Sequence, residues 1–209
     1  MKIILASGIS FVLKYGYNLT GIPKDKMRIG YVTTASKATN TPVSFFENLK
    51  NRIREQGYVF EEIDIVGKTK DQLRSFFKDK NIIQVEGGNV FYLLKAIKET
   101  GFAEVLKELL NEGKIYIGTS AGAYVMCPSI EVAAWKADEK EKCGVTDFTA
   151  LNYVPFVLKA HYTEDMATLI KAKIRTLTYS LRVLNDWQGI LVENNTCTFV
   201  GDGEEVKFK

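Results

Sequence analysis

Cysteine is scarce in this chain, three in 209 residues, and the three lie far apart at Cys127, Cys143 and Cys197. They form no C-x-x-C pair and are too few to build a structural zinc site, so neither a disulfide framework nor a metal clip is expected. Reduced thiols suit a cytoplasmic protein, which is the location expected here. An excess of one charge is also lacking. Lys and Arg number 28 against 25 Asp and Glu, a net +3, and the two signs are interspersed, leaving no basic stripe for nucleic acid. No apolar stretch approaches the ~20 residues of a membrane span. The start, Met1-Lys2 followed by Ile3-Ile4-Leu5-Ala6, imitates a signal peptide only briefly, because Ser7, Gly8 and Ser10 interrupt it. It reads better as a buried first strand. G-x-G-x-x-G is absent, and no Lys-Ser/Thr follows a glycine loop, which excludes two common phosphate cradles. Internal repeats, low-complexity segments and linkers are missing as well. The expectation is one domain over residues 1–209, a monomer or homodimer, with no cofactor, metal, nucleic acid or membrane as partner.

What is present is an ordinary globular balance, 46% apolar and 25% charged, with a regular alternation along the first two thirds. Near-continuous apolar runs at 2–7, 28–34, 59–65, 81–85 and 114–118 read as strands covered on both faces. Between them, helical spacing spans 43–57, 69–78, 90–100 and 102–112, carried for example by Phe45, Phe46, Leu49 and Ile53. Gly57, Gly101 and Gly113 punctuate the helix ends. Strand and helix in alternation imply right-handed crossovers and a mostly parallel α/β sheet with helices on both faces. Beyond Gly122 the pattern changes. A charged loop at 136–142 precedes another strand at 154–159 and a helix at 164–177. From about Leu181 the chain reads as a small β tail, with turns at 185–186, 194–195 and 201–203.

Three features carry chemistry. Gly118-Thr119-Ser120-Ala121-Gly122 follows an apolar strand and precedes a helical segment, the context of a nucleophile elbow. Small residues around Ser120 permit the tight turn, and the Ala121 N–H at the helix start can face an oxyanion. Read blandly, Ser120 only caps a helix. A serine nucleophile needs a base, and His161 is the only histidine. It follows the candidate strand at 154–159, so it can sit at a strand end as Ser120 does. The third feature is Gly87-Gly88-Asn89, which ends one strand and opens a helix. Two glycines there let backbone approach a ligand, although Asn89 as a plain helix N-cap explains part of the pattern equally well.

Taken together, Glu86-Gly87-Gly88-Asn89-Val90-Phe91-Tyr92-Leu93-Leu94, the segment from Gly113 through Ser120 to Ala123, Cys127-Pro128-Ser129-Ile130, Asp147-Phe148-Thr149-Ala150-Leu151 and Ala160-His161-Tyr162 resemble the α-aspartyl dipeptidase (peptidase E) family of serine peptidases, relatives of cyanophycinase. The resemblance covers essentially the whole chain. It implies a class I glutamine amidotransferase-like fold, Ser120 as nucleophile, His161 as base, and the amides of Gly88 and Ala121 as oxyanion donors. Gly87 and Asn89 would then border the substrate, and the substrate would be a short peptide beginning with aspartate. A related serine amidase with another substrate, or an inactive ligand-binding member, are the alternatives. Two departures stand out. The family often has Gly where this chain has Glu86. Its acid lies soon after the serine, where an ungapped alignment places Trp135 and a short insertion brings Asp138; Glu131, Glu139 and Asp147 stay open.

Overall fold

The computed structural model describes residues 1–138 and 140–208. Its strands are β1 (Lys2–Ala6), β2 (Ile29–Val32), β3 (Phe60–Ile63), β4 (Ile82–Val85), β5 (Ile115–Thr119), β6 (Phe156–Lys159), β7 (Ser180–Val183), β8 (Gln188–Glu193) and β9 (Thr196–Gly201). Seven of them form one sheet in the order β3-β2-β4-β5-β1-β8-β9. The pairs from β3 to β1 are parallel, whereas β8 runs antiparallel to β1 and β9 antiparallel to β8.

Side-chain alternation explains why the strands read as unbroken apolar runs. Ile3 and Leu5 enter one apolar layer while Ile4 and Ala6 enter the other, and Ile83 and Val85 oppose Ile82 in the same way. The first layer is closed by the helices Val90–Thr100 and Phe102–Asn111, through Leu93, Leu94, Ile97, Val105 and Leu106. The second is closed by Phe11, Val12 and Tyr17 and by Ile53 of the helix Val43–Glu55. Local signals set the helix ends. Thr69 and Gln72 form a reciprocal capping box at the start of Lys70–Phe77, and Gly101 stands at φ 69° between two helices.

The expected parallel α/β sheet with helices on both faces is what the chain forms. The C-terminal part differs in two respects. The β tail is not an appendage: β8 and β9 extend the main sheet, with Lys2 opposite Glu193 and Ala6 opposite Gly189. The expected strand at 154–159 appears as β6, which leaves the main sheet and pairs in parallel with β7. The helix expected at 164–177 is broken into a 3-10 turn Glu164–Met166, a helix Ala167–Lys173 and a second 3-10 turn Ile174–Thr176. Among the described residues no helix is long and apolar enough to cross a membrane. The carboxyl ends of β4 and β5 lie side by side, and this places Gly87-Gly88 next to Ser120.

Candidate active site

Ser120 leaves β5 at φ 51° and ψ −108°, a region rarely entered by a residue with a side chain. The surroundings over-determine this conformation. Its N–H donates to the Ala6 carbonyl at 2.9 Å, and its own carbonyl accepts from Ala123 and Tyr124 at 2.8 and 2.9 Å. The turn is closed so tightly that a Cβ on Gly118 would stand 2.4 Å from the Gly122 carbonyl oxygen, and one on Gly122 would stand 2.3 Å from that of Val85. Those two glycines are therefore steric requirements of the elbow.

His161 follows β6 after one residue and also holds a positive φ, 55°. Its N–H donates to Ser7 Oγ at 2.7 Å, and the neighbouring Ala160 N–H donates to Tyr124 Oη at 3.0 Å. The ring then spans two groups: Nε2 lies 2.8 Å from Ser120 Oγ and Nδ1 lies 2.5 Å from Asp186 Oδ1. Asp186 sits on the turn between β7 and β8. Gln188 braces that turn by accepting from Asn185 N–H at 3.0 Å, and Asn185 Oδ1 accepts from Trp187 N–H at 2.9 Å. Ser7 Oγ also lies 3.3 Å from Asp186 Oδ1. The hydrogen bond to His161 holds the Asp186 carboxyl below the usual carboxylate range, outweighing its partial burial.

This corrects the expected acid. The carboxylate on the His161 ring is Asp186, not Asp138. Asp138 is exposed and closes a local turn, its Oδ1 accepting from Glu141 N–H at 2.7 Å. Asp147 is engaged by Lys98 at 2.8 Å, and Glu131 opens a 3-10 turn; Glu139 lies outside the described residues. In the sequence Asp186 carried one signal, the Asn-Asp pair of a turn between two strands, which is the same signal a purely structural turn gives.

Gly88 stands at φ 137°, and a Cβ there would fall 2.3 Å from the Ala35 carbonyl oxygen. Only glycine fits. Gly87 faces the elbow, where a Cβ would lie 3.2 Å from that of Ser120. Among the described residues the N–H groups of Gly88 and Ala121 donate to no protein acceptor. Asn89 proves to be the helix N-cap: Oδ1 accepts from Phe91 and Tyr92 at 2.9 and 3.0 Å, while Nδ2 donates to the Glu141 carbonyl at 2.8 Å. Its side chain thus fastens the 136–145 loop to the glycine turn. Gly88, Asn89, Ala121 and Glu141 border one cavity of about 660 Å³ that also exposes Ser120 and His161, whereas Gly87, expected to border the substrate, does not line it. A more open depression of about 390 Å³, by Ser10, Arg52 and Trp187, contains none of them.

Glu86, just before Gly87, is 3% exposed, and neither carboxylate oxygen has a well-formed hydrogen bond among the described residues. Burial pushes its carboxyl up to about 7, against smaller opposing effects of the Ser36 hydroxyl and Lys50. It does not border the cavity.

The model of peptidase family S51 matches residues 17–207. An uncharacterised peptidase of Pasteurella multocida (strain Pm70) is 31% identical over 199 residues, covering 93% of this chain and 95% of that protein. A peptidase E of Nostoc sp. is 29% identical over 136 residues, covering 65% of this chain and 52% of that protein. Among solved structures, a protein of Listeria monocytogenes EGD-e assigned provisionally to peptidase E superposes with a TM-score of 0.81, covering 97% of this chain and 98% of that one at 23% identity. At that identity the superposition supports the fold.

Proposed function

The chain belongs to peptidase family S51, and on that footing we propose that it is a serine peptidase cleaving short peptides, with N-terminal aspartyl dipeptides as substrates, through Ser120, His161 and Asp186. The observation that carries the reading is the unbroken relay of 2.8 Å from Ser120 Oγ to His161 Nε2 and 2.5 Å from His161 Nδ1 to Asp186 Oδ1. In this scheme His161 Nε2 takes the hydroxyl proton as Ser120 Oγ attacks the scissile carbonyl. The negative charge that develops on the carbonyl oxygen is met by the N–H groups of Gly88 and Ala121, which are unspent among the described residues. His161 returns the proton to the leaving amine, and a water molecule, activated by the same imidazole, releases the acyl group from Ser120. Asp186 keeps the Nδ1–H tautomer and stabilises the imidazolium. The strained φ of Ser120 presents its hydroxyl clear of the backbone at the cavity floor.

The test is hydrolysis of an Asp-X dipeptide panel by wild type and Ser120→Ala. Loss of turnover by about 10³-fold or more in the variant is expected, and equal activity of the two would overturn the assignment. A related amidase acting on another acyl group is the second reading. Labelling of Ser120 by a fluorophosphonate without turnover of any Asp-X peptide selects it.

A further inference from the structure

Among the described residues, the cavity that exposes Ser120 and His161 is bordered by four lysines, Lys37, Lys136, Lys140 and Lys159, and by one carboxylate, Glu141. Lys159 differs from the others. Lys136 and Lys140 are exposed on the loop that roofs the site, whereas Lys159 is the last residue of β6, partly buried, two positions before His161. Lys159 and His161 line the same cavity. The Lys159 ammonium makes one hydrogen bond, to the carbonyl of Ala160 at 3.0 Å, and no ion pair among the described residues. Burial first, and then the positive charge of Lys136, hold its pKa below the ordinary lysine value. A cation taken partly out of water, beside a second cation and without a counterion, is a costly arrangement that an anion would relieve. Lys80, elsewhere in the molecule, shows the alternative solution: it is buried but paired with Asp79 at 2.7 Å and Glu61 at 3.0 Å.

We propose that Lys159 is the specificity-determining residue of this site, pairing with a carboxylate on the acyl part of the substrate so that acyl groups carrying a negative charge are selected over neutral ones of the same shape. The inference rests on the reading of Ser120 as nucleophile and adds to it the residue that reads the substrate's charge. Lys37, Lys136 and Lys140 raise the local potential that draws such an anion in, and Lys159 supplies the short-range contact. The carboxylate it accepts lies a few carbons from the scissile carbonyl, as in an aspartyl group.

Two chromogenic esters test this, 4-nitrophenyl hemisuccinate and 4-nitrophenyl butyrate, whose acyl chains differ by a carboxylate in place of a methyl group. In either case Ser120 Oγ bonds to the acyl carbon, the bond to nitrophenolate breaks, and the serine proton passes to His161, so released nitrophenolate reports acylation. Wild type is expected to prefer hemisuccinate in kcat/KM. Lys159→Met should reduce that preference on the order of 10²-fold while leaving the butyrate rate within a few-fold. Lys159→Arg should restore most of the preference. Labelling of Ser120 by an uncharged fluorophosphonate should be the same in all three proteins, which reports an intact elbow. A merely structural role for Lys159 would lower both ester rates and the labelling together, and that result overturns the proposal, as does an unchanged preference in Lys159→Met. If Ser120→Ala still turned over the esters, the serine reading would fall instead, and the ester preference of the Lys159 variants would still decide the role of that lysine.

Discussion

Replacing Glu86 by glutamine should make the protein more stable at alkaline pH and leave its stability at acid pH nearly unchanged. The carboxyl is buried at the end of β4 with neither oxygen in a well-formed hydrogen bond among the described residues, and burial raises it from 4.5 to about 7. Below the unfolded value both states hold the proton and the side chain carries no penalty. As pH rises from there, the unfolded chain releases its proton while the folded chain keeps it, so stability falls until the folded group ionises too. Above about 7 the loss is complete and corresponds to about 3 kcal/mol. Nearby charges limit rather than cancel it: Lys50 lowers the value, but its ammonium is already shared between Glu47 at 2.6 Å and Glu62 at 2.7 Å. Glutamine keeps the shape and cannot ionise. Urea unfolding of wild type and Glu86→Gln, followed by far-UV circular dichroism at intervals from pH 4 to 9, isolates this one group, because every other titration is common to both proteins. The two stabilities should coincide near pH 4 and diverge in favour of the variant by up to about 3 kcal/mol near pH 8. A difference that stays constant with pH, or a variant that is the weaker protein at pH 8, would refute the argument.

Two further outcomes follow from the site. Asp186→Asn should lower kcat on Asp-X dipeptides by on the order of 10⁴-fold, since an amide cannot hold the required tautomer. Asp138→Asn, at a side chain that accepts from the Glu141 N–H, should stay within a few-fold of wild type in the same steady-state assay; the reverse ranking would return the acid to the loop. Asn89→Ala removes the helix cap and the tether to Glu141 together. It should cost about 1 kcal/mol and lower Tm by roughly 2–4 °C, and an unchanged Tm would show that the cap contributes nothing.

Much of this protein follows from interactions between near neighbours in the chain. The apolar runs at 2–7, 81–85 and 114–118 became β1, β4 and β5 because a strand with both faces covered must be apolar at every position. The elbow was legible for a similar reason: Gly118, Ala121 and Gly122 are small because their own turn leaves room for nothing larger. Asn89 likewise caps the helix that begins one residue later. The location of Ser120 and the parallel α/β frame around it are therefore properties of local sequence.

Tertiary structure alone decided which groups meet Ser120. His161 is reached through β6, which pairs with β7 rather than with the main sheet. Asp186 comes from a turn 25 residues further on, held by Ser7 and Gln188. Nothing in the spacing of Asn185-Asp186 separates a triad-like acid from an ordinary turn, because the same side-chain chemistry makes both. The burial of Glu86 and the partial burial of Lys159 have the same origin. The residues that desolvate them come from distant segments, and desolvation depends on where those segments pack. Sequence thus determined the nucleophile's turn and the sheet that carries it. Packing decided the acid, the unpaired charges and the shape of the cavity, because each depends on strand ends that are near in space and far apart along the chain.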